Sequence, residues 1–209
     1  EARAQMNVLT QLIAALDANK AARTLKFTAE SDIEFVQTLT LITQKPVLYV
    51  CNVADASELE NDYVKQVKAY AAAESAEVVA LVGKLENEIM EIDDPEEQKA
   101  FLKEMGLEET GLNRMIHAGY HLLHLVTFFT VGGKENKAWT IKVNTKAPQA
   151  AGRIHSDFEK GFIRAEVYNF NDLVKYKTEH AVREAGHLRV EGKDYVVQDG
   201  DILHFRFNV

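Results

Sequence analysis

A short polar loop behind an apolar segment is the part of the sequence best suited to chemistry. Asn52, Val53 and Asp55 follow the apolar run at residues 47–51. An amide offers a donor and an acceptor, while a carboxylate only accepts. Such a pair can bind the edge of a purine, and a wrong base would leave polar groups unpaired. Asn and Asp are also common turn formers, and these residues alone favour an ordinary turn.

A phosphate-binding loop would require the pattern Gly-x-x-x-x-Gly-Lys-Ser/Thr, whose backbone N–H groups and Lys hold the triphosphate. The chain has three Gly-Lys pairs, at residues 83–84, 133–134 and 192–193, and none is followed by Ser or Thr. The residues five positions before these glycines are Val78, Phe128 and His187. We therefore expect the 209 residues to lack the phosphate-binding half of a nucleotide site and to be inactive alone.

Three histidines could ligate a metal ion. His117, His121 and His124 are spaced i, i+4 and i+7, which can suit zinc on a helix. No Glu follows His117 as a zinc-protease motif requires, and the sequence places no acidic or Cys ligand beside them. An amphipathic helix face is the stronger interpretation, so we expect no metal site.

Two further candidates have ordinary structural explanations. His155 and Asp157 could pair as a base and its orienting group, but no activated Ser or Cys accompanies them, which favours a structural turn. Cys51 is the only cysteine, and a buried, inert thiol is favoured over a redox sensor. One cysteine cannot form an internal disulfide, and no apolar run approaches membrane-spanning length, so we expect a cytoplasmic protein without a membrane segment.

The polar loop requires strands to position it. Residues 47–51 predict a strand buried on both faces, and residues 77–82 predict a second strand. Helices are predicted at residues 61–74 and 86–92, which gives the alternation of a doubly wound α/β unit with functional loops at the strands' C-terminal ends. Two strands are too few for a free-standing sheet, so the sheet is incomplete.

Helices are predicted on both sides of this unit. Leu9, Leu12, Ile13 and Leu16 share one face of a first helix. The spacing of Ser31 and Glu34 predicts a capping box at the start of a second helix, which ends by Gln44 because of Pro46. A helical link is predicted at residues 95–125.

The sequence changes character after residue 125. Strands are predicted at residues 128–143, 161–168, 193–197 and 202–209, with one helix at 173–184, which fits a small β-grasp module. Residues 125–209 hold 13 Lys and Arg against 11 Asp and Glu, whereas residues 1–124 hold 11 against 21. This asymmetry indicates two modules with different surfaces.

Several segments resemble a known family. Residues 45–53, Lys-Pro-Val-Leu-Tyr-Val-Cys-Asn-Val, resemble the strand and base loop of Obg-like ATPases of the YchF type, in the P-loop GTPase/ATPase class. The stronger likeness is to the family's TGS domain, a ubiquitin-like β-grasp module. It is carried by residues 127–130, 138–141, 146–152, 154–166, 191–195 and 199–201.

The resemblance implies a domain plan. Residues 1–28 would be the returning helix of a coiled-coil arm, residues 29–124 the C-terminal part of the nucleotide-binding α/β domain, and residues 125–209 the TGS domain. It also implies the base-binding residues, which are Asn52, Val53, Asp55, Leu81, Val82 and Gly83. The family's Glu is Asp55 here, which leaves the choice between ATP and GTP open.

The resemblance implies that the intact protein is a ribosome-associated enzyme that hydrolyses ATP or GTP with Mg²⁺, and that this chain alone holds no cofactor. The alternative is a non-catalytic regulatory module that binds the ribosome or tRNA. By charge, its contacts would be Lys146, Arg153, Lys160 and Arg164. Ordinary solvated surface is the other explanation for these four residues.

Overall fold

The computed structural model describes residues 2–132 and 135–208. The chain divides into two compact units, with the boundary between residues 122 and 123. Within the described ranges, no helix is both long and apolar enough to cross a membrane. Each unit mixes helices and strands, as the sequence predicts.

The first unit contains six helices and two strands among its described residues. They are, in chain order, α1 (Ala2–Asp17), α2 (Glu30–Thr38), β1 (Leu48–Asn52), α3 (Asp62–Ala73), β2 (Glu77–Leu81), α4 (Gly83–Met90), α5 (Pro95–Glu104) and α6 (Gly111–Leu122). Short 3-10 turns occur at Ala22–Thr24, Ile42–Gln44 and Ala56–Glu58.

The buried face of α1 differs from the predicted one. Val8, Leu12 and Ala15 are buried, and the first two pack in a cluster with Val36 of α2. Ile13 is 58% exposed, and Leu16 is also exposed. Two apolar stripes on this helix share Leu12, and the helix buries the stripe that faces α2. The predicted face was therefore rotated from the buried one.

The predicted start of α2 was also wrong. The helix begins at Glu30, with Ala29 at the N-cap and no side-chain cap. Ser31 is thus already inside the helix, where it cannot form the capping box. The helix ends at Thr38, and a 3-10 turn precedes Pro46.

The strands β1 and β2 pair in parallel, with Leu48 opposite Glu77 and Asn52 opposite Leu81. Helix α3 connects them, so the predicted strand–helix–strand unit is confirmed. The predicted burial of β1 on both faces is wrong, because Val50 is 46% exposed. In the described part of the chain, β1 has no neighbouring strand other than β2.

Helix α4 begins three residues before its predicted start, and the predicted helical link is two helices. Asp94 caps α5 by accepting the Glu96 N–H at 2.9 Å, and Pro95 occupies the first turn, where its missing N–H costs nothing. Ile89 of α4 and Leu102 of α5 lie in one buried cluster. This cluster supports the loops that follow β1 and β2.

Among its described residues, the second unit has a five-stranded sheet and four short helices. Its elements are β3 (Leu125–Thr130), β4 (Lys137–Lys142), α7 (Ala147–Gly152), α8 (Ser156–Lys160), β5 (Phe162–Asn169), α9 (Phe170–Tyr176), α10 (Glu179–Glu184), β6 (Arg189–Glu191) and β7 (Asp201–Phe207). The strand order is β4-β3-β7-β5-β6. The pairing of β3 with β7 is parallel, and the other pairings are antiparallel.

Both faces of this sheet carry apolar clusters. On one face Phe128 packs with Ala150 and Ala151 of α7, and all three are fully buried. Tyr168 and Val182 belong to a separate cluster that includes α10. Residues 133 and 134, which include the Gly-Lys pair considered above, lie outside the described residues.

Three sequence predictions for this unit need correction. The segment predicted as a strand at residues 193–197 is a turn followed by an isolated antiparallel bridge between Val196 and Lys146, and the nearest strand is β6. The single helix predicted at 173–184 is two helices, because Lys177 adopts a left-handed conformation with φ of 69°. Helix α7 was not predicted, although Pro148 in its first turn is typical of a helix start.

Candidate functional site

The side chain of Asn52 is fixed at the end of β1. Its Oδ1 accepts a hydrogen bond from the backbone N–H of Gly83 at 2.9 Å, although the two residues are 31 positions apart. A Cβ atom on residue 83 would lie 3.1 Å from this oxygen, which is a tight contact. Because a backbone N–H can only donate, the contact orients the amide and leaves its NH₂ group for other partners.

The parallel register explains why these residues meet. Asn52 lies opposite Leu81, and the N–H of Val53 donates to the Leu81 carbonyl at 2.9 Å. Val53 and Val82 pack into the same apolar cluster beneath the loops. Five of the residues expected at the base loops, Asn52, Val53, Leu81, Val82 and Gly83, are thus brought together.

Asp55 is held by Ser57, which was not among the expected site residues. Its Oδ1 accepts hydrogen bonds from the Ser57 backbone N–H at 2.8 Å and from the Ser57 hydroxyl at 2.5 Å. These bonds from Ser57, the hydroxyl first, lower the pKa of Asp55. The carboxylate is therefore ionised at neutral pH and can only accept. An Asp at an N-cap followed by Ser was the local signal that pointed to Ser57.

A shallow pocket adjoins this loop. It has a volume of about 190 Å³, and its lining includes Asp55, Val82, Lys84 and Met105. Asp55 and Val82 therefore line the same pocket. Lys84 was not among the expected site residues, and its ammonium group lies 3.9 Å from Glu88. The pocket lining joins the Asp55 carboxylate to apolar side chains, and it does not include the oriented amide of Asn52.

The four basic residues expected at a contact surface have different surroundings. Lys146 forms an ion pair with Asp194 at 2.8 Å. Arg153 follows the end of α7, Lys160 ends α8, and neither makes an ion pair with a described residue. Arg164 on β5 lies opposite Arg206 of β7.

An arginine cluster surrounds Glu166, and it was not predicted from the sequence. Arg206 donates to both carboxylate oxygens, at 3.2 and 3.3 Å, and Arg183 lies 3.6 Å from one of them. These contacts, the hydrogen bonds from Arg206 first, lower the pKa of Glu166. Together with Arg164, they give this face of the sheet three guanidinium groups around one carboxylate. The residues come from three separate elements, so no local pattern could have indicated the cluster.

The histidines do not form a metal site. His117 and His121 lie on α6, but His124 is beyond its end with φ of 51°, so the three do not share a helix face. His121 contacts Glu77, and His117 lies 3.9 Å from Glu109, which corrects the expectation that no acidic residue is near. Among residues 2–132 and 135–208, no group of three or more His, Cys, Asp or Glu could hold a metal ion.

His155 has a structural role. Its Nδ1 accepts the Asp157 N–H at 3.2 Å and so caps α8. This arrangement confirms the structural turn. Cys51 is a free, half-buried thiol on β1.

The fold and the site define an α/β chain in which polar loops end a parallel strand pair and a mixed-sheet unit follows. Solved structures share this architecture. The YchF GTPase of Schizosaccharomyces pombe matches with a TM-score of 0.82 and 32% identity, covering 98% of this chain and 55% of that one. A GTP-binding protein from Pyrococcus horikoshii OT3, at 18% identity and a TM-score of 0.58, shows the fold alone.

The sequence comparisons agree with the structural ones. The family model YchF-GTPase_C, described as a protein of unknown function (DUF933), matches residues 125–208. Over 209 residues the chain is 47% identical to the ribosome-binding ATPase YchF of Escherichia coli O157:H7. It is 47% identical over 208 residues to that of Bacillus subtilis (strain 168). Residues 125–208 thus match the YchF C-terminal family, and the whole chain is similar to YchF proteins. The two matches span 100% and 98% of this chain, but only 57% and 56% of the two relatives.

Proposed function

We propose that the chain supplies the purine-recognition part of the nucleotide site in a ribosome-associated protein that hydrolyses ATP or GTP. The observation that carries this proposal is the Asn52 side chain, held by the Gly83 N–H at the shared C-terminal edge of β1 and β2. Ligands of open parallel sheets bind at this edge. The relatives' names, ribosome-binding ATPase and YchF GTPase, support the same activity.

The orientation of Asn52 suits a purine. Its Oδ1 is engaged by Gly83, so its NH₂ group is the part available to a ligand. N7 of either purine is an acceptor and can receive this donor. The ionised Asp55 can accept from an amino group on the other edge of the base. Leu81, Val82 and Gly83 supply the second loop, and the apolar cluster below keeps both loops in register.

In this proposal the chain contributes base recognition, while phosphate and Mg²⁺ binding come from other residues. Most affinity for a nucleoside triphosphate comes from groups that bind the phosphates, and the sequence has no phosphate loop. The described residues also offer no cluster that fits Mg²⁺. We therefore expect weak nucleotide binding and no hydrolysis by the 209 residues alone, with both activities and the Mg²⁺ requirement appearing in the complete gene product.

The test is nucleotide binding by the complete gene product. Asn52→Ala should weaken ATP binding roughly tenfold or more, because it removes one directed hydrogen bond and the order of the loop. Asn87→Ala is the matched control, since Asn87 lies exposed on α4 and its side chain donates to Glu91 of the same segment. Equal affinities in wild type and Asn52→Ala would refute the proposed site.

The surface of α1 supports the proposed helical arm. Met6, Leu9, Ile13 and Leu16 follow the spacing i, i+3, i+7 and i+10, which is the seam of a coiled coil. Three of them, Met6, Ile13 and Leu16, are exposed. We propose that this stripe packs against another helix of the arm, while the opposite stripe packs on α2.

A second candidate function is docking of the C-terminal unit, proposed as a TGS-type β-grasp domain, onto the ribosome or tRNA. Arg153 and Lys160 favour it, because neither forms an ion pair with a described residue. Co-sedimentation of the 209-residue chain with ribosomes should weaken in the Arg153→Ala, Lys160→Ala double variant and with rising salt. Lys146→Ala is the control, since Lys146 is already paired with Asp194. Unchanged co-sedimentation in the double variant would exclude this contact, and retention by tRNA alone would identify tRNA as the partner.

A further inference from the structure

The second half of β7 has a strand partner on one side only, among the described residues. On one side β7 pairs with β5 from its first residue to its last. On the other side the register with β3 consists of a single pair, Phe129 with Ile202, because β3 ends at Thr130. Residues 203–207 therefore extend past the end of β3, and this side of β7 is open there.

The backbone groups on the open side follow from the alternation of a strand. Successive residues direct their N–H and C=O groups to opposite sides of the strand. The Asn208 N–H donates to the Gly161 carbonyl on the β5 side, at 2.9 Å. The even-numbered residues of β7 therefore bond to β5. Phe205 and Phe207 direct their backbone groups to the open side, where they can pair with an added strand.

An apolar pocket lies beside the open side. It has a volume of about 280 Å³, and its walls include Val131, Ile154, Phe158 and Phe207. The rings of Phe158 and Phe207 stack with their centroids 3.8 Å apart. Every second side chain of a strand points to the same face of its sheet. A strand added to β7 would therefore place alternate side chains on the face that bears this pocket.

The opposite face of β7 carries an excess of positive charge. Arg206 lies directly opposite Arg164 in the register, and like charges in that arrangement repel each other. Arg206 and Arg183 both contact Glu166, and Arg183 also contacts Glu179. Three guanidinium groups thus share two carboxylates, which leaves one positive charge in excess. An anionic ligand would relieve the repulsion between the two arginines.

We propose that residues 203–207 are a docking site for an extended segment of another protein, in which acidic residues alternate with large apolar ones. The segment's backbone bonds to Phe205 and Phe207, its apolar side chains enter the pocket, and its acidic side chains meet Arg164 and Arg206. In strand addition, main-chain hydrogen bonds provide affinity and pockets for alternate side chains provide specificity. This site is separate from the loops that follow β1 and β2, and it does not depend on nucleotide binding.

The test uses the isotope-labelled 209-residue chain and a fluorescent peptide of about eight residues that alternates Glu with Phe. We expect saturable binding by fluorescence anisotropy. Saturating peptide should slow the amide hydrogen exchange of Phe205 and Phe207 at least about tenfold, because their N–H groups gain acceptors. The exchange of Arg206 should not change, since its N–H already bonds to β5. This alternation is specific to a strand added at the open side.

Two control peptides separate strand addition from general attraction. One has the same composition with its Glu residues grouped at one end, and the other is N-methylated at the residues that face β7. Both should bind at least about tenfold more weakly, because one lacks the alternation and the other lacks main-chain donors. Phe158→Ala and Arg164→Gln should each weaken binding of the alternating peptide about threefold to tenfold. Lys193→Gln is the matched control, since Lys193 is exposed in the turn after β6 and β5 separates β6 from β7.

Each other outcome contradicts the proposal at a definite point. Equal affinities for the alternating and the N-methylated peptide would overturn strand addition. Wild-type affinity in Phe158→Ala, with circular dichroism showing a folded variant, would overturn the role of the pocket. Slow exchange of Phe205 and Phe207 in a self-associated chain without peptide would make a second copy the occupant. Displacement of the peptide by a single-stranded oligonucleotide would make nucleic acid the occupant, and either result would overturn the acidic segment.

Discussion

Replacing Glu86 by Ala should destabilise the first unit, because this side chain caps α6. Oε1 accepts the Gly111 N–H at 2.6 Å, and Oε2 accepts the Leu112 N–H at 3.1 Å. Gly111 is the first residue of α6, so both donors lack partners inside the helix. A Cβ on residue 111 would lie 2.7 Å from Oε1 and 2.6 Å from the Leu81 Cβ, so the approach requires glycine.

The expected cost follows from these contacts. Losing a helix cap costs about 0.5–2 kcal/mol, and a hydrogen bond to a charged group contributes about 1.5–3 kcal/mol. Water can replace the bond at Leu112, which is 39% exposed, but less readily at Gly111, which is buried. We expect Glu86→Ala to lower the free energy of unfolding of the first unit by about 2 kcal/mol.

The location of the only tryptophan allows the two units to be followed separately. Trp139 lies in the second unit, so its fluorescence reports that unit, whereas circular dichroism reports both. Glu86→Ala should lower the urea midpoint of the first unit, measured by circular dichroism, by about 1 M. The urea midpoint measured by Trp139 fluorescence should not change.

The control is Glu88→Ala, two positions along the same helix. Glu88 is exposed and lies 3.9 Å from Lys84, so its loss should cost less than about 0.5 kcal/mol. A change below about 0.5 kcal/mol in Glu86→Ala would refute the cap. An equal shift of the tryptophan transition would refute the independence of the two units.

Three further predictions use the same measurements. Hydrogen bonds from Arg206 keep the pKa of Glu166 below its ordinary 4.5, so the stability that the ionised carboxylate provides should be present above that pH and lost as pH falls through the folded pKa. Glu166→Gln should flatten this acid dependence of tryptophan fluorescence. Burial raises the pKa of Tyr195 to about 12 from 10, so the second unit should lose stability as pH rises between these values, and Tyr195→Phe should remove that part of the loss. Leu12→Ala should cost about 3 kcal/mol, whereas Ile13→Ala should cost less than about 0.5 kcal/mol, and a cost for Ile13→Ala as large as that for Leu12→Ala would restore the face predicted from sequence.

The sequence predicts the local part of the candidate site and misses the contacts that complete it. An apolar run followed by Asn52 predicts a strand that ends in a polar loop, and the parallel pairing follows from the strand–helix–strand pattern. The contact between Asn52 and Gly83 depends on the register of two strands, which periodicity does not specify. Ser57 could have been found from the sequence, because an Asp two positions before a Ser is a common turn pattern in which the carboxylate accepts from that residue.

The errors in the fold have a similar origin. A helical period identifies α1, but Leu12 belongs to two apolar stripes, and only the position of α2 decides which is buried. Residues 193–197 contain enough apolar residues to suggest a strand, yet they form only one isolated bridge, and the nearby strand β6 is three residues long and lies earlier. Lys177 divides one predicted helix because a left-handed residue leaves no signal in the apolar pattern.

Within the described ranges, one edge of β1 has no neighbouring strand, which affects how the 209-residue chain behaves in solution. A strand with an unpaired edge and an exposed Val50 is a template for pairing with another chain. The acidic excess of residues 1–124 opposes such contact through repulsion between like-charged copies. Salt screens that repulsion, so the 209-residue chain should stay dispersed in dilute buffer and self-associate as ionic strength rises.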